Sequence, residues 1–199
     1  MQELRIEAAG AAHPRTSTHS ALQAFQYLHE DEKQLVQLRP QGFSFNRLAP
    51  YTSFDDYLPE IERTWRSYVE LAAPVLVRVI RLRYINRILL PLAASSIDLD
   101  EFLKIGPKLP YEGLVLYGFL TQQVAFEKAT RHQVNLVLTT QQPVSEKLPV
   151  ILDISVWSEE LLNPRDWPKI GEVIGSLRTL KNRIFFNTLT TKCIKLLQS

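Results

Sequence analysis

A single cysteine, Cys193, leaves no partner for a disulfide within the chain. Packing must hold the fold, and a reducing compartment is the simplest setting. Seven glycines are spread over 199 residues, none in a run that could cradle a phosphate. His13, His19, His29 and His132 are scattered, without the spacing of metal ligands. No strand–turn–helix nucleophile elbow is present. The sequence therefore assigns no catalytic residue, no cofactor and no metal ligand, and it leans away from an enzyme. Charge of one sign is lacking too. There are 23 basic and 21 acidic residues, for a net charge of +2, so bulk charge calls for neither nucleic acid nor an anionic membrane. Any basic site must be local. The longest acid-free stretch, Leu71 to Ile97, is interrupted by Arg78, Arg81, Arg83 and Arg87, each costly at mid-bilayer. The N-terminal MQELRIEAAGAAHPRT lacks the basic-then-apolar order of a signal peptide. A cytoplasmic protein is expected.

What is present is ordinary globular composition, 45% hydrophobic and 22% charged, long enough to bury a sizeable core. QELRIEA reads as a short strand, followed by an irregular loop to residue 20. LQAFQYLH, QLVQLRP and FSFNRL, separated by short polar turns, predict a three-stranded meander. A helix follows. Ser53 is its N-cap, Asp55 and Asp56 lie in the first turn, and Ile61, Trp65, Tyr68 and Val69 form an apolar stripe. Pro59 predicts that the regular part begins near Leu58, and Pro74 marks the end. A long strand is expected over Leu76–Leu90, closed by Pro91, then a short helix in IDLDEFLKIG ending at Gly106. GLVLYGFLTQQVAFE, HQVNLVLTT and LPVILDISVW predict a second meander. A C-terminal helix capped by Asp166 carries Ile170, Val173, Ile174, Leu177 and Leu180 on one face, with a break and restart at Asn187 or Thr188.

Element order repeats. Residues 22–73 read βββα, and residues 76–198 read βα followed by βββα. The expected fold is α+β: one domain over residues 1–199, built of two βββα-type pseudo-repeats whose antiparallel sheets carry two long helices on one face. A helix-grip fold is the alternative.

Several residues carry a resemblance. They are Pro50, Tyr51 and Ser53; Trp65 and Tyr68; the string LRYINRI from Leu82 to Ile88 with Pro91; and Phe186, Leu189 and Thr190. Over roughly residues 34–198 the chain resembles a sporadically distributed family of uncharacterised prokaryotic proteins. The family carries no established activity, so the resemblance implies a fold and no catalytic residues. Its members generally have a further N-terminal strand–helix segment. A first repeat without it would leave a sheet edge uncovered, which predicts a homodimer or a protein partner.

The long strand holds the main candidate site. At period two, Arg81, Arg83 and Arg87 share a face with Ile85, while Leu82, Tyr84, Asn86, Ile88 and Leu90 point the other way. The basic face could bind a phosphate or an acidic partner. It could equally be a solvated face whose arginines pair with Glu30, Asp31, Glu32 or Asp153, and antiparallel sheets commonly leave one face wet. Phe43, Phe45, Tyr84, Tyr117 and Phe119 could stack bases, yet strand aromatics are more often core; nucleic acid is a possible partner and not the favoured one. A pocket lined by Tyr84, Asn86, Gln122 and Trp157 would favour a small-ligand binder or an enzyme. A filled core beneath an exposed arginine face would favour a non-enzymatic interaction protein, and that is the expectation adopted.

Overall fold

The computed structural model describes residues 3–7, 15–19, 24–40, 42–92, 97–111 and 113–198. The fold is α+β with antiparallel sheets, and the chain divides into two compact units, Met1–Ala73 and Pro74–Ser199.

In the first unit, β1 (Glu3–Glu7) pairs antiparallel with β2 (Arg15–His19). The second of these was expected to be loop; RTSTH is polar throughout, so hydrophobic alternation could not mark it. The meander follows as expected: β3 (Phe25–Leu28), β4 (Gln34–Arg39) and β5 (Gly42–Arg47), in that spatial order. The turn between β3 and β4 is organised by Asp31, whose Oδ1 accepts from Lys33 N at 2.9 Å and Gln34 N at 3.3 Å. Arg47 Nη1 closes on the other carboxylate oxygen at 2.5 Å. The Lys33 N–H first, and then Arg47, hold the Asp31 carboxyl well below the usual carboxylate range.

Helix α1 (Phe54–Ala72) starts at the Ser53 cap, whose Oγ accepts from Asp56 N at 3.2 Å. It thus begins before Pro59. That proline deletes only the bond to the Asp55 carbonyl, and the cap and acidic first turn outweigh the loss. Trp65 and Tyr68 lie on Phe43 of β5, with ring centroids 5.7 and 5.6 Å apart. Ile61 and Trp65 are only half-buried, while Phe54 and Val69 are buried.

In the second unit, four strands run in the order β6 (Ile80–Pro91), β9 (Lys147–Ser158), β8 (Gln133–Thr140), β7 (Leu120–Phe126). Two expected strands are shorter than their sequence patterns. Ahead of Ile80, β6 has no ladder partner because β9 ends at Ser158; only Val77 and Leu162 exchange backbone bonds there, at 2.9 and 3.0 Å. Residues 114–118 likewise run past the end of β8 at Thr140. The short helix is a single 3₁₀ turn, Leu99–Glu101, capped by Asp98.

Helix α2 (Trp167–Thr188) packs on β6 and β9. Asp166 Oδ1 accepts from Lys169 N at 3.1 Å, and Pro168 occupies the first turn, where a missing N–H costs nothing. Ile170, Val173, Ile174, Leu177 and Leu180 are all buried, at the expected spacing. They lie on the helix face that packs on β6 and β9, whose Ile88, Leu90, Leu152 and Ile154 are essentially inaccessible. The helix ends at Thr188, and α3 (Thr191–Gln198) restarts two or three residues later than expected, because Thr190, not Asn187 or Thr188, caps it. Thr190 Oγ1 accepts from Cys193 N at 3.2 Å and donates to the Glu101 carbonyl at 2.6 Å. No helix among the described residues is long and apolar enough to cross a membrane.

Candidate functional site

The antiparallel register of β6 and β9 sets Arg81 opposite Trp157, Arg83 opposite Ser155, Ile85 opposite Asp153 and Arg87 opposite Ile151. All project from the side of the sheet away from α2, since Tyr84, Asn86, Ile88 and their even-numbered neighbours face the helix. The Arg81 guanidinium lies over the Trp157 ring, 4.8 Å from its centroid. Arg83 is held by Asp153, Nη2 to Oδ2 at 2.6 Å and Nε to Oδ1 at 3.0 Å. That pairing raises the Arg83 pKa further above its ordinary value. Arg87 Nε donates to Gln141 Oε1 at 3.2 Å. One of the three arginines therefore has a carboxylate partner among the described residues, and the other two have neutral ones.

The same face is unusually apolar for an exposed one. Ile85 is 61% exposed, Leu120 69%, Val124 70% and Phe126 56%. The β7–β8 register puts Leu120, Gln122, Val124 and Phe126 on this side, level with Val137 and Thr139. Single exposed apolar residues need no explanation, but a group sharing one sheet face with Arg81 and Arg87, which have no carboxylate partner among the described residues, is what a docking surface offers.

The pocket expected from Tyr84, Asn86, Gln122 and Trp157 does not form. Tyr84 and Asn86 face α2, whereas Gln122 and Trp157 lie on the arginine face. Asn86 is a structural amide that donates to the Leu152 carbonyl at 3.0 Å. Gln122 donates to Asn135 Oδ1 at 2.8 Å, and Trp157 Nε1 to Glu159 Oε1 at 3.2 Å. Tyr84 lies beneath Lys181 of α2, whose Nζ is 3.9 Å from the ring centroid. Burial, with a smaller contribution from Arg178, pulls the Lys181 pKa down to about 8.

Three features went unmarked in the sequence. His132 is buried, and its Nε2 lies 2.9 Å from Ser176 Oγ. This serine–histidine contact joins the end of the β7–β8 turn to α2; nothing in a sequence separation of 44 residues signals it. The Lys181–Tyr84 contact is equally non-local. The third is a cavity of about 630 Å³ at the end of β6, bordered by Phe102, Leu196, Lys192, Lys195, Asp98 and Glu101. It pairs apolar walls with charges of both signs. Burial pushes the Cys193 thiol up, which fits a packing role. Among the described residues no three histidine, cysteine, aspartate or glutamate side chains gather as a metal site would require.

Ser53, Trp65, Tyr68, Leu82–Ile88, Leu189 and Thr190 occupy structural joints. Ser53 caps α1, Trp65 and Tyr68 fix it to β5, Leu82–Ile88 form β6, Leu189 is buried and Thr190 caps α3. Comparison with protein-family models, with curated proteins and with solved structures finds no match.

Proposed function

We propose that the chain is a non-enzymatic interaction protein that docks an acidic protein partner on the arginine-bearing face of the second unit's sheet. The observation that carries this reading is the pairing pattern. Arg81 and Arg87 are matched to a ring and an amide, and between them Ile85 is 61% exposed. An incoming carboxylate would gain two charge-assisted contacts flanking an apolar one, the mixture that interface centres use. Weak or neutral in-chain partners make those guanidiniums cheap to redirect. Arg83, already satisfied by Asp153, would act as framework. The same proposal places the protein in a prokaryotic cytoplasm, within the family it resembles, acting as a homodimer or with an obligate protein partner.

The test compares partner capture by the wild type with capture by Arg81→Glu/Arg87→Glu and by Ile85→Asp. Loss of the same protein partner in both variants, with the salt sensitivity of a charged interface, supports the reading. Unchanged capture would remove it, and retention of nucleic acid instead of protein would replace it with an anionic-polymer function. The open groove beside α3 favours a second reading, a small anionic amphiphile that lies on Phe102 beside Lys195 and displaces Glu101 from its ion pair with Lys192. Saturable binding that is lost in Phe102→Ala and untouched by Arg81→Glu would support that one.

A further inference from the structure

β7 and β6 are the two edges of the second sheet, and they differ in a way that matters. β6 carries Arg81, Arg83, Arg87 and Pro91, the kinds of residue that blunt an edge. β7, Leu-Thr-Gln-Gln-Val-Ala-Phe, has no charge and no proline. Its odd-numbered backbone groups are turned toward β8. Thr140 N donates to the Phe119 carbonyl at 3.2 Å, and Glu127 N to the His132 carbonyl at 2.8 Å, in the register that sets Leu120 opposite Thr139. Antiparallel ladders alternate, so the N–H and C=O groups of Leu120, Gln122, Val124 and Phe126 point out of the sheet. Among the described residues no strand pairs with them.

We propose that a second copy of this chain pairs there, β7 against β7, antiparallel about a two-fold axis at Gln123. The outward groups fix the parity: even-numbered residues must meet even-numbered ones. About Gln123, Leu120 then faces Phe126 of the second copy, Gln122 faces Val124, and Thr121 faces Ala125. Both copies present equal numbers of donors and acceptors, and no like charges oppose one another. The exposed Leu120 and Phe126 gain apolar cross-strand partners. An acidic foreign strand would find no charge on β7 to select it, which is why the occupant is the chain's own copy. An axis perpendicular to the sheet keeps both α2 helices on one side. Two four-stranded sheets become one of eight strands, with both arginine faces on the other side. This deepens the docking reading and rests on it for its purpose, because it makes the docking surface bivalent.

Sedimentation of the full-length protein across a dilution series tests it. Val124→Pro removes an outward donor and spares the β7–β8 ladder, so the fold should survive. Val124→Lys places a charge at the edge by a different route. Each should raise the dimer dissociation constant about tenfold or more, with circular dichroism unchanged; Val124→Pro acts twice, because the two-fold axis removes one interface hydrogen bond from each copy. At Gln123 the paired copies come within about 4.5 Å between Cα atoms, inside disulfide range. Gln123→Cys should therefore cross-link on oxidation. Lys128→Cys, in the exposed turn, should not, and the buried native Cys193 should take no part. A monomer at every concentration, or a dimer undiminished in both Val124 variants, would overturn the proposal. So would a Gln123→Cys dimer that fails to cross-link. Monomers that still capture an acidic partner would remove the β7 pairing alone. A β7 dimer whose capture ignores Arg81→Glu/Arg87→Glu would uphold the pairing while the docking reading fell.

Discussion

Arg83 on β6 and Asp153 on β9 form a diagonal fork, with Nη2 2.6 Å from Oδ2 and Nε 3.0 Å from Oδ1. The aspartate side chain is 14% exposed and the arginine 58%. The acid is thus the fixed half and the guanidinium folds down over it. The bidentate geometry exceeds that of a casual surface pair, but solvent reaches the arginine and screens it. A double-mutant cycle with Arg83→Met and Asp153→Ala should give a coupling of about 0.5–1 kcal/mol. Raising the salt should shrink it. Denaturation in urea reads this directly; a coupling near zero would make the fork decorative.

Leu177 is fully buried on α2, the helix that packs on β6 and β9. Leu177→Ala should cost about 2–5 kcal/mol, the transfer term plus a cavity the surrounding strands cannot fill. Trp65→Ala should cost less than a fully buried tryptophan would, because Trp65 is half-buried, with ring contacts to Phe43 and Tyr68. Thermal unfolding of the two variants should rank Leu177 above Trp65. The opposite order would mean that the first unit's core has more cover than its exposures indicate.

That contrast bears on what the sequence could convey. Period-two alternation in Arg81–Leu90 separated the two faces of β6 correctly, since a strand's own geometry decides that. Stripe spacing likewise identified the buried face of α2. Register between strands is set by contacts distant in sequence. Four carboxylates were equally available to the arginines, and only the β6–β9 alignment selects Asp153 over Glu30, Asp31 and Glu32, which sit in the β3–β4 turn. The pocket of Tyr84, Asn86, Gln122 and Trp157 failed for the same reason, because a one-residue difference in parity moves a side chain to the other face. Strand ends were overextended wherever the partner strand stopped first, at Ile80 and at Leu120. Composition registers strand propensity and carries no record of where a neighbour ends.

Thr190 joins two elements through one oxygen. Its Oγ1 caps α3 at Cys193 N and donates to the Glu101 carbonyl beside the 3₁₀ turn. Thr190→Val keeps the shape and removes both bonds, so a loss of about 1–2 kcal/mol is expected. Thr190→Ser should recover most of it. Hydrogen exchange would localise the effect to α3 and residues 99–103; protection unchanged there would show that the cap is redundant.

Lys181 supplies a pH signature. Its amine is partly buried over the Tyr84 ring, with Arg178 nearby on the same helix, and its pKa falls from an ordinary 10.5 to about 8. Burial is the larger cause, and it disfavours the charged form in the folded state. Between pH 8 and 10.5 the unfolded chain therefore binds more protons at this site than the folded chain does. Stability must rise with pH across that window, and below it the full penalty of burying the ammonium is in force. Lys181→Met removes the penalty. The variant should be more stable than the wild type at pH 7, and the difference should narrow as the pH passes through 8 toward 10.5. The Tyr84 ring works the other way, because its face favours the cation. Tyr84→Leu should lower the Lys181 pKa further, a shift that NMR titration of the lysine amine can follow separately from stability. Parallel pH profiles for the wild type and Lys181→Met would show that this amine is solvated like any surface lysine, and would place it outside the packed interface between α2 and β6.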